Sequence, residues 1–231
     1  NNRKLFIFTG KNAVQVLAAD GATTAALATP PADWAAANQP SFGMIHEGRL
    51  AAGGNLNDPH RLYFSLGTNH EDFTTTPLSF SVYPGEGERL VGGISFNNLI
   101  VLWKFPVGIY VIDTTDPANA NWKVKRLTNA VGGASVLGAV AVDKDVIFVD
   151  GTGNFHVLSA VQEFGDASAS NLTRKLDLYS FIKDNFNLGR LQFARGIYYA
   201  AKRELHFAGA GAGATLNTAR FVVDFNREDM V

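Results

Sequence analysis

The chain of 231 residues contains no cysteine. That absence excludes disulfide bonds, thiolate catalysis and cysteine-ligated metals, and it fits a reducing environment. Charged residues make up only 18%, and their signs nearly cancel to a net charge of −1. The chain therefore lacks the basic field that would recruit nucleic acid or an anionic membrane. It also lacks any apolar run near the ~20 residues of a membrane span, so no membrane-spanning segment is predicted.

Helical patterns are scarce as well. Leu176–Phe186 predicts a short helix, because its apolar residues recur every four positions on one face. Ala32–Ala37 predicts a single helical turn. Two stretches rich in small residues, Thr23–Pro31 and Gly165–Ser170, predict exterior loops. The chain is nevertheless 46% hydrophobic, which is enough for a sizeable core.

What the sequence does contain is a repeated strand pattern, clearest between Leu90 and Asp113. A polar turn at Asn97-Asn98 separates the first two strands, since Asn tolerates the left-handed backbone of tight turns. The second strand is apolar on both faces, which predicts burial between two layers. The four predicted strands are Gly93–Phe96, Leu99–Lys104, Ile109–Asp113 and Trp122–Leu127.

The same signature recurs along the chain at intervals of roughly 45 to 60 residues, near the ~40 to 50 residues of a four-stranded propeller blade. Two units repeat it closely, a third more weakly, and the N-terminal unit lacks a first strand. Their predicted strands are Ala139–Val142, Asp145–Val149 and Phe155–Leu158; Gly196–Ala200, Glu204–Ala208 and Ala219–Phe225; Gly43–His46, Arg49–Ala52 and Arg61–Leu66; and Lys4–Phe8 with Ala13–Leu17.

These units predict an all-β fold, a β-propeller of about five four-stranded antiparallel blades that is incomplete at its termini. Short sheets expose two apolar faces and unpaired edges, and packing them face to face around an axis buries the faces. A β-sandwich of two larger sheets is the alternative. No shift in composition marks a boundary, so residues 1–231 are predicted to form one domain. Because the chain starts at Asn1 and stops after a charged run, we expect it to be a segment of a longer protein.

Candidate chemical sites are weak. The glycine-rich run Gly209–Ala214 lies between two predicted strands, whereas a phosphate loop needs a following helix, so a hairpin loop is the favoured interpretation. Asp143, Asp145, Asp150 and Asn154 lie at hairpin turns, where acidic side chains bond nearby backbone amides, and they lack the calcium-loop pattern.

The five histidines show no metal-pair spacing. They are His46, His60, His70, His156 and His206, and of these only His60 and His70, with Asp72, flank one strand closely enough to form a loop cluster. Asp224 is the only carboxylate in an unusual apolar setting, at the end of a strand, and a glycosidase needs two carboxylates at a set separation. Aromatic residues on the strands are interpreted as core. We therefore predict no catalytic, cofactor-binding or metal site, and no enzymatic activity.

Several phrases resemble one family of proteins. They are DPHRLYFSLGTNHEDF at Asp58–Phe73, the strands of Leu90–Asp113, Val131-Gly132-Gly133-Ala134 followed by DVIFVDGTGNF at Asp145–Phe155, and the closing segment Ala194–Phe225. The family is the β-propeller tail protein of short-tailed bacteriophages, the tail nozzle or tail stabilisation protein. Members of this family usually continue, past the strand that corresponds to Val222–Phe225, to a Trp-bearing strand. That strand is missing from this sequence, and it would supply the strand that the N-terminal unit lacks.

The resemblance implies a structural virion protein that acts by assembly and not by catalysis. Its expected partners are copies of itself in a homo-oligomeric ring and other tail proteins. Phage DNA is expected to pass nearby without sequence-specific binding, and a near-neutral lumen would not grip it. The expected location is the virion tail, assembled in the host cytoplasm. The alternative is a carbohydrate-binding or glycoside-hydrolysing propeller, which would place carboxylates or aromatic rings at the axial mouth.

Overall fold

The computed structural model describes residues 4–35, 37–143, 145–159, 172–175 and 177–226. Within them it is mostly β, with five separate antiparallel sheets of three or four strands. The first sheet has β1 (Leu5–Ile7), β2 (Gln15–Leu17) and β3 (Thr24–Ala26). The second has β4 (Phe42–His46), β5 (Arg49–Gly53), β6 (Arg61–Phe64) and β7 (Leu78–Ser81).

The remaining sheets follow in chain order. The third has β8 (Arg89–Phe96), β9 (Leu99–Phe105), β10 (Ile109–Asp113) and β11 (Lys123–Thr128). The fourth has β12 (Ala139–Val142), β13 (Asp145–Val149) and β14 (Phe155–Val157), and the fifth has β15 (Arg195–Tyr199), β16 (Glu204–Ala210) and β17 (Asn217–Asp224). In every sheet each strand pairs with its neighbour in sequence, so the sheets are simple meanders.

Helices are short and lie between strands. The α-helices are α1 (Leu172–Lys175) and α2 (Tyr179–Asn185), and the 3₁₀ helices are η1 (Asn119–Asn121), η2 (Leu188–Phe193) and η3 (Ala200–Lys202). Ile182 of α2 and Phe186, which directly follows the helix, pack in the core between the last two sheets. None of the helices among the described residues is long and apolar enough to cross a membrane.

Strand β9 shows how the sheets are stacked. Its residues alternate between two separate cores, with Ile100 and Leu102 on one side and Val101 and Trp103 on the other. The reason is the two-residue period of a strand, which points successive side chains to opposite faces. The prediction that this strand is buried on both faces is confirmed.

Four such cores separate the five sheets in chain order. The first core joins sheets one and two through Val16 and Leu50, and the second joins sheets two and three through Phe64 and Leu102. The third and fourth cores join sheet three to sheet four and sheet four to sheet five in the same way. A sandwich of two broad sheets would have a single core, so the five-sheet arrangement is not the predicted alternative.

Glycines let the first strands of neighbouring sheets approach closely. A Cβ added to Gly93 of β8 would lie 2.6 Å from Met44 Cε of β4, and one added to Gly196 of β15 would lie 2.4 Å from Val140 Cγ2 of β12. Both distances are well inside van der Waals contact. The glycines at the start of these predicted strands therefore mark places where a side chain of the preceding sheet packs directly against the strand backbone.

The two terminal sheets each leave one face uncovered. On the first sheet Leu5 and Ile7 are 57% and 39% exposed, while the alternate residue Phe6 packs into the core. On the fifth sheet Ile197 and Val222 are 67% and 41% exposed, on the face opposite the core. Each terminal sheet therefore exposes large apolar side chains, which on the fifth sheet lie among the charged residues Arg195, Glu204 and Arg220.

Several predictions of secondary structure need correction. Thr24–Ala26, predicted as loop, is strand β3: its side chains are all exposed, so backbone pairing with β2 holds it and composition gives no signal. Strand β7 (Leu78–Ser81) was not predicted. Only the second and third sheets have four described strands, so four-stranded units throughout are not observed.

The helix predictions were partly right. The described residues of Ala32–Ala37 form turns and no helix, while the predicted helix of Leu176–Phe186 is shorter, at Tyr179–Asn185. The tight turn at Asn97 is confirmed, with φ of +52°. The predicted loop Gly165–Ser170 lies outside the described residues.

Candidate functional site

A cavity of about 880 Å³ opens where elements from three sheets meet. Its walls come from the start of β4, the segment 135–137 that leads into β12, helix η2, and the starts of β15 and β17. Phe8, Phe42 and Phe193 are the aromatic residues among those that line it. Its volume falls within the roughly 300–1,000 Å³ of small-molecule sites in proteins.

Among the described residues, two arginines, Arg190 and Arg195, supply all the formal charge of this lining, and none of the lining side chains is a carboxylate. The Arg190 guanidinium carbon lies 4.2 Å from the centre of the Phe193 ring, and its Nη2 donates a 3.0 Å hydrogen bond to the Thr215 carbonyl. Stacking and this bond fix the plane of the guanidinium. An arginine held this way is suited to bind a planar oxyanion through two parallel hydrogen bonds.

Arg195 begins strand β15 and is exposed at the mouth of the cavity. It forms no ion pair with any carboxylate in the part of the chain that the structure describes, in contrast to Arg126 with Glu86 and Arg203 with Asp143. Sequence reasoning missed this site, because Ser41–Gly43 and Arg190–Arg195 are about 150 positions apart and only folding brings them together.

A second unpredicted feature is the buried Lys104 at the end of β9. Its side chain is fully buried, and its Nζ donates hydrogen bonds of 2.8 and 2.6 Å to the carbonyls of Tyr83 and Glu86 and lies 5.1 Å from the ring centre of Tyr110. Burial lowers the pKa of Lys104 to about 8. The ammonium holds the loop between β7 and β8 against the sheet, so its role is structural. The sequence feature that could have indicated this burial is a lysine near the end of an otherwise apolar strand.

His46 is buried between the second and third sheets. Its ring nitrogens lie 2.8 Å from Ser95 Oγ and 2.7 Å from Thr114 Oγ1, and the Thr114 hydroxyl donates to the Asn98 carbonyl at 2.7 Å. Burial lowers the pKa of His46, with Glu47 opposing the shift. The ring therefore bridges β4, β8 and the end of β10 as a neutral group.

The predicted turn residues each have separate local partners. Asp143 accepts hydrogen bonds from Tyr198 and Arg203, whereas Asp145 bonds Ser159. Asp150 lies with His156 at 2.8 Å and also accepts from Thr152 and Asn154 within its own turn, which favours structural roles. No group of three possible metal ligands occurs among the described residues.

The other candidates from the sequence also separate. His70 donates to the Gly48 carbonyl at 2.8 Å, Asp72 accepts from Thr74 and Thr75, and His60 leaves its Nδ1 without a partner among the described residues, so the three do not form a cluster. His206 pairs with Glu204 at 2.9 Å, and Asp224 accepts from Asn226. Gly209–Ala214 spans the end of β16 and the turn to β17, which confirms the hairpin loop.

The chain matches no protein-family model and no curated protein sequence.

Proposed function

We propose that the chain is a structural module of a bacteriophage tail, a β-propeller of about five blades that works by assembly. The observation that carries this proposal is the apolar surface left at both ends of the sheet series. Leu5 and Ile7 on the first sheet, and Ile197 and Val222 on the last, are exposed on faces that a further sheet would cover. On the fifth sheet these side chains share their face with charged residues such as Arg195 and Arg220, and apolar side chains surrounded by polar ones are a common composition of protein–protein interfaces.

The propeller geometry is supported by contacts between first strands. Strand β4 contacts β8, β8 contacts β12, and β12 contacts β15, so the leading strands of successive sheets run close together. This arrangement is what a shared axis requires, because in a propeller the first strand of each blade lies innermost. The resemblance to tail proteins, which covers most of residues 43–227, supports the same architecture.

The proposed partners are copies of the chain in a ring and neighbouring tail proteins, in virions assembled in the host cytoplasm. Phage DNA would pass nearby without being read. A net charge of −1 supports this part, since tight phosphate binding needs many unpaired basic groups.

The alternative is a carbohydrate-binding propeller. The cavity with its aromatic rings and two arginines favours binding over hydrolysis, because glycoside hydrolysis needs a pair of carboxylates and the cavity lining has none. This alternative gives no role to the exposed side chains of Leu5, Ile7, Ile197 and Val222, none of which lines the cavity.

Assembly is tested by measuring the mass of the purified chain over a range of concentrations and imaging it by negative stain. We expect ring-shaped oligomers, and an antibody against the chain should label phage tails. The substitution Ile197→Glu should weaken association, because it buries a charge in the interface. Leu56→Glu, at a residue 59% exposed in another part of the chain, is the matched control. A monomer at every concentration, together with unlabelled tails, would refute the proposal.

A further inference from the structure

We infer that the cavity between β4, η2 and β15 is a binding site for a small molecule that carries a carboxylate or phosphate group. This inference does not depend on the proposed role in a phage tail. It begins with charge: Arg190 and Arg195 line the cavity, and no acidic residue from the part of the chain that the structure describes lines it. Two positive charges without a counter-charge raise the local concentration of anions.

The second step is the geometry of Arg190. The Phe193 ring below its guanidinium and the Thr215 carbonyl at 3.0 Å hold the group in one plane. Its Nη1 makes no hydrogen bond with a described residue, and its Nε is buried with no acceptor in that same part of the chain. The fold therefore orders the guanidinium and leaves Nη1 available to donate, whereas the buried Nε is out of reach of a ligand. This ordering lowers the entropy cost of binding an oxyanion.

The third step is the rest of the wall. Phe8 and Phe42 provide apolar surface beside the arginines, and Ser41 and Gln192 provide neutral hydrogen-bonding groups. A cavity of about 880 Å³ that combines apolar rings with several polar side chains fits a compact organic anion better than a bare inorganic ion. Arginine binds carboxylate and phosphate groups with the same pair of parallel hydrogen bonds. The structure therefore indicates that the ligand is negatively charged, and the experiment decides whether a carboxylate or a phosphate carries the charge.

The test measures binding of sodium glucuronate, glucose and inorganic phosphate to the purified full chain by isothermal titration calorimetry. We expect glucuronate or phosphate to bind and glucose to bind more weakly or not at all. Glucuronate above phosphate would identify a carboxylate ligand, and the reverse order a phosphate ligand; both support the site. Equal binding of glucose and glucuronate, or no binding of either anion, would overturn the inference.

Substitutions locate the site. Arg195→Gln should weaken anion binding about tenfold or more, because a hydrogen bond to a charged group contributes roughly 1.5–3 kcal/mol. Arg220→Gln is the matched control, since Arg220 is exposed on the same sheet but does not line the cavity. Equal losses in the two variants would place anion binding elsewhere and refute the site.

Arg190 needs a separate control because it also packs on Phe193. Arg190→Lys keeps the positive charge but loses the planar set of guanidinium donors, so the variant should bind the anion severalfold more weakly. It should unfold at nearly the same temperature as the parent. Unchanged affinity in Arg190→Lys, with Arg195→Gln also unchanged, would show that neither arginine holds the ligand.

Discussion

The close packing of Val140 against Gly196 allows a quantitative test of how the last two sheets pack. A Cβ at Gly196 would lie 2.4 Å from Val140 Cγ2, whereas ordinary carbon contacts are about 3.5–4.0 Å. The substitution Gly196→Ala must therefore push β12 and β15 apart by about 1 Å or force Val140 from its rotamer. Overpacking of this kind costs about 1–3 kcal/mol.

Two smaller effects adjust that figure. Replacing glycine with alanine reduces the entropy of the unfolded chain, which returns about 0.4–1 kcal/mol. The net expectation is a loss of about 1–2 kcal/mol in the free energy of unfolding. Val140→Ala alone should cost about 1 kcal/mol, because the valine is half-buried. In the double variant the missing methyl groups leave room for the new Cβ, so the two losses should not add.

The assay is equilibrium unfolding in urea followed by tryptophan fluorescence. It can report on the whole chain because Trp34, Trp103 and Trp122 are all at most 5% exposed. Gly67→Ala is the matched control, since its added Cβ would meet nothing closer than 4.0 Å. If Gly196→Ala costs no more than the control, or if the two losses simply add, the first strands of these sheets do not approach as described.

Two further predictions concern buried ionisable groups. Lys104→Ala should lower the free energy of unfolding by about 2–5 kcal/mol in urea, because it removes buried packing and leaves the carbonyls of Tyr83 and Glu86 without their donor. For His46, burial holds the pKa below the ordinary 6.5, so the unfolded chain binds more protons in acid than the native chain. Stability should therefore be full above about pH 6.5 and fall as the pH drops below it, and His46→Gln should flatten that slope in urea titrations between pH 5 and 7.5.

Each of these has a clear contrary result. Lys125→Ala, at an exposed position of β11, should change stability by less than about 0.5 kcal/mol, and a similar loss in both lysine variants would contradict the structural role of Lys104. A pH slope that is the same in His46→Gln and the parent would show that another group causes the acid dependence.

The sequence by itself determined the strands and their grouping. The continuous apolar run in Leu99–Lys104 predicts a strand that is buried on both faces, and the structure confirms this because side-chain alternation is a local property of an extended backbone. Turn residues with a left-handed backbone, such as Asn97, fixed the boundaries of hairpins for the same reason. Strand β3 was missed because backbone pairing, not side-chain pattern, holds it in place.

Only the tertiary structure decided which sheet faces pack against each other and which are exposed to solvent. Arg190 and Arg195 meet Phe42 across a cavity because three sheets converge there, and no local pattern encodes that distance. Lys104 is buried because the loop of Tyr83 and Glu86 folds over it, although its position in the sequence is that of an ordinary strand end. Contacts between residues distant in sequence depend on how whole sheets pack, so local periodicity predicts the elements while their assembly creates the candidate site.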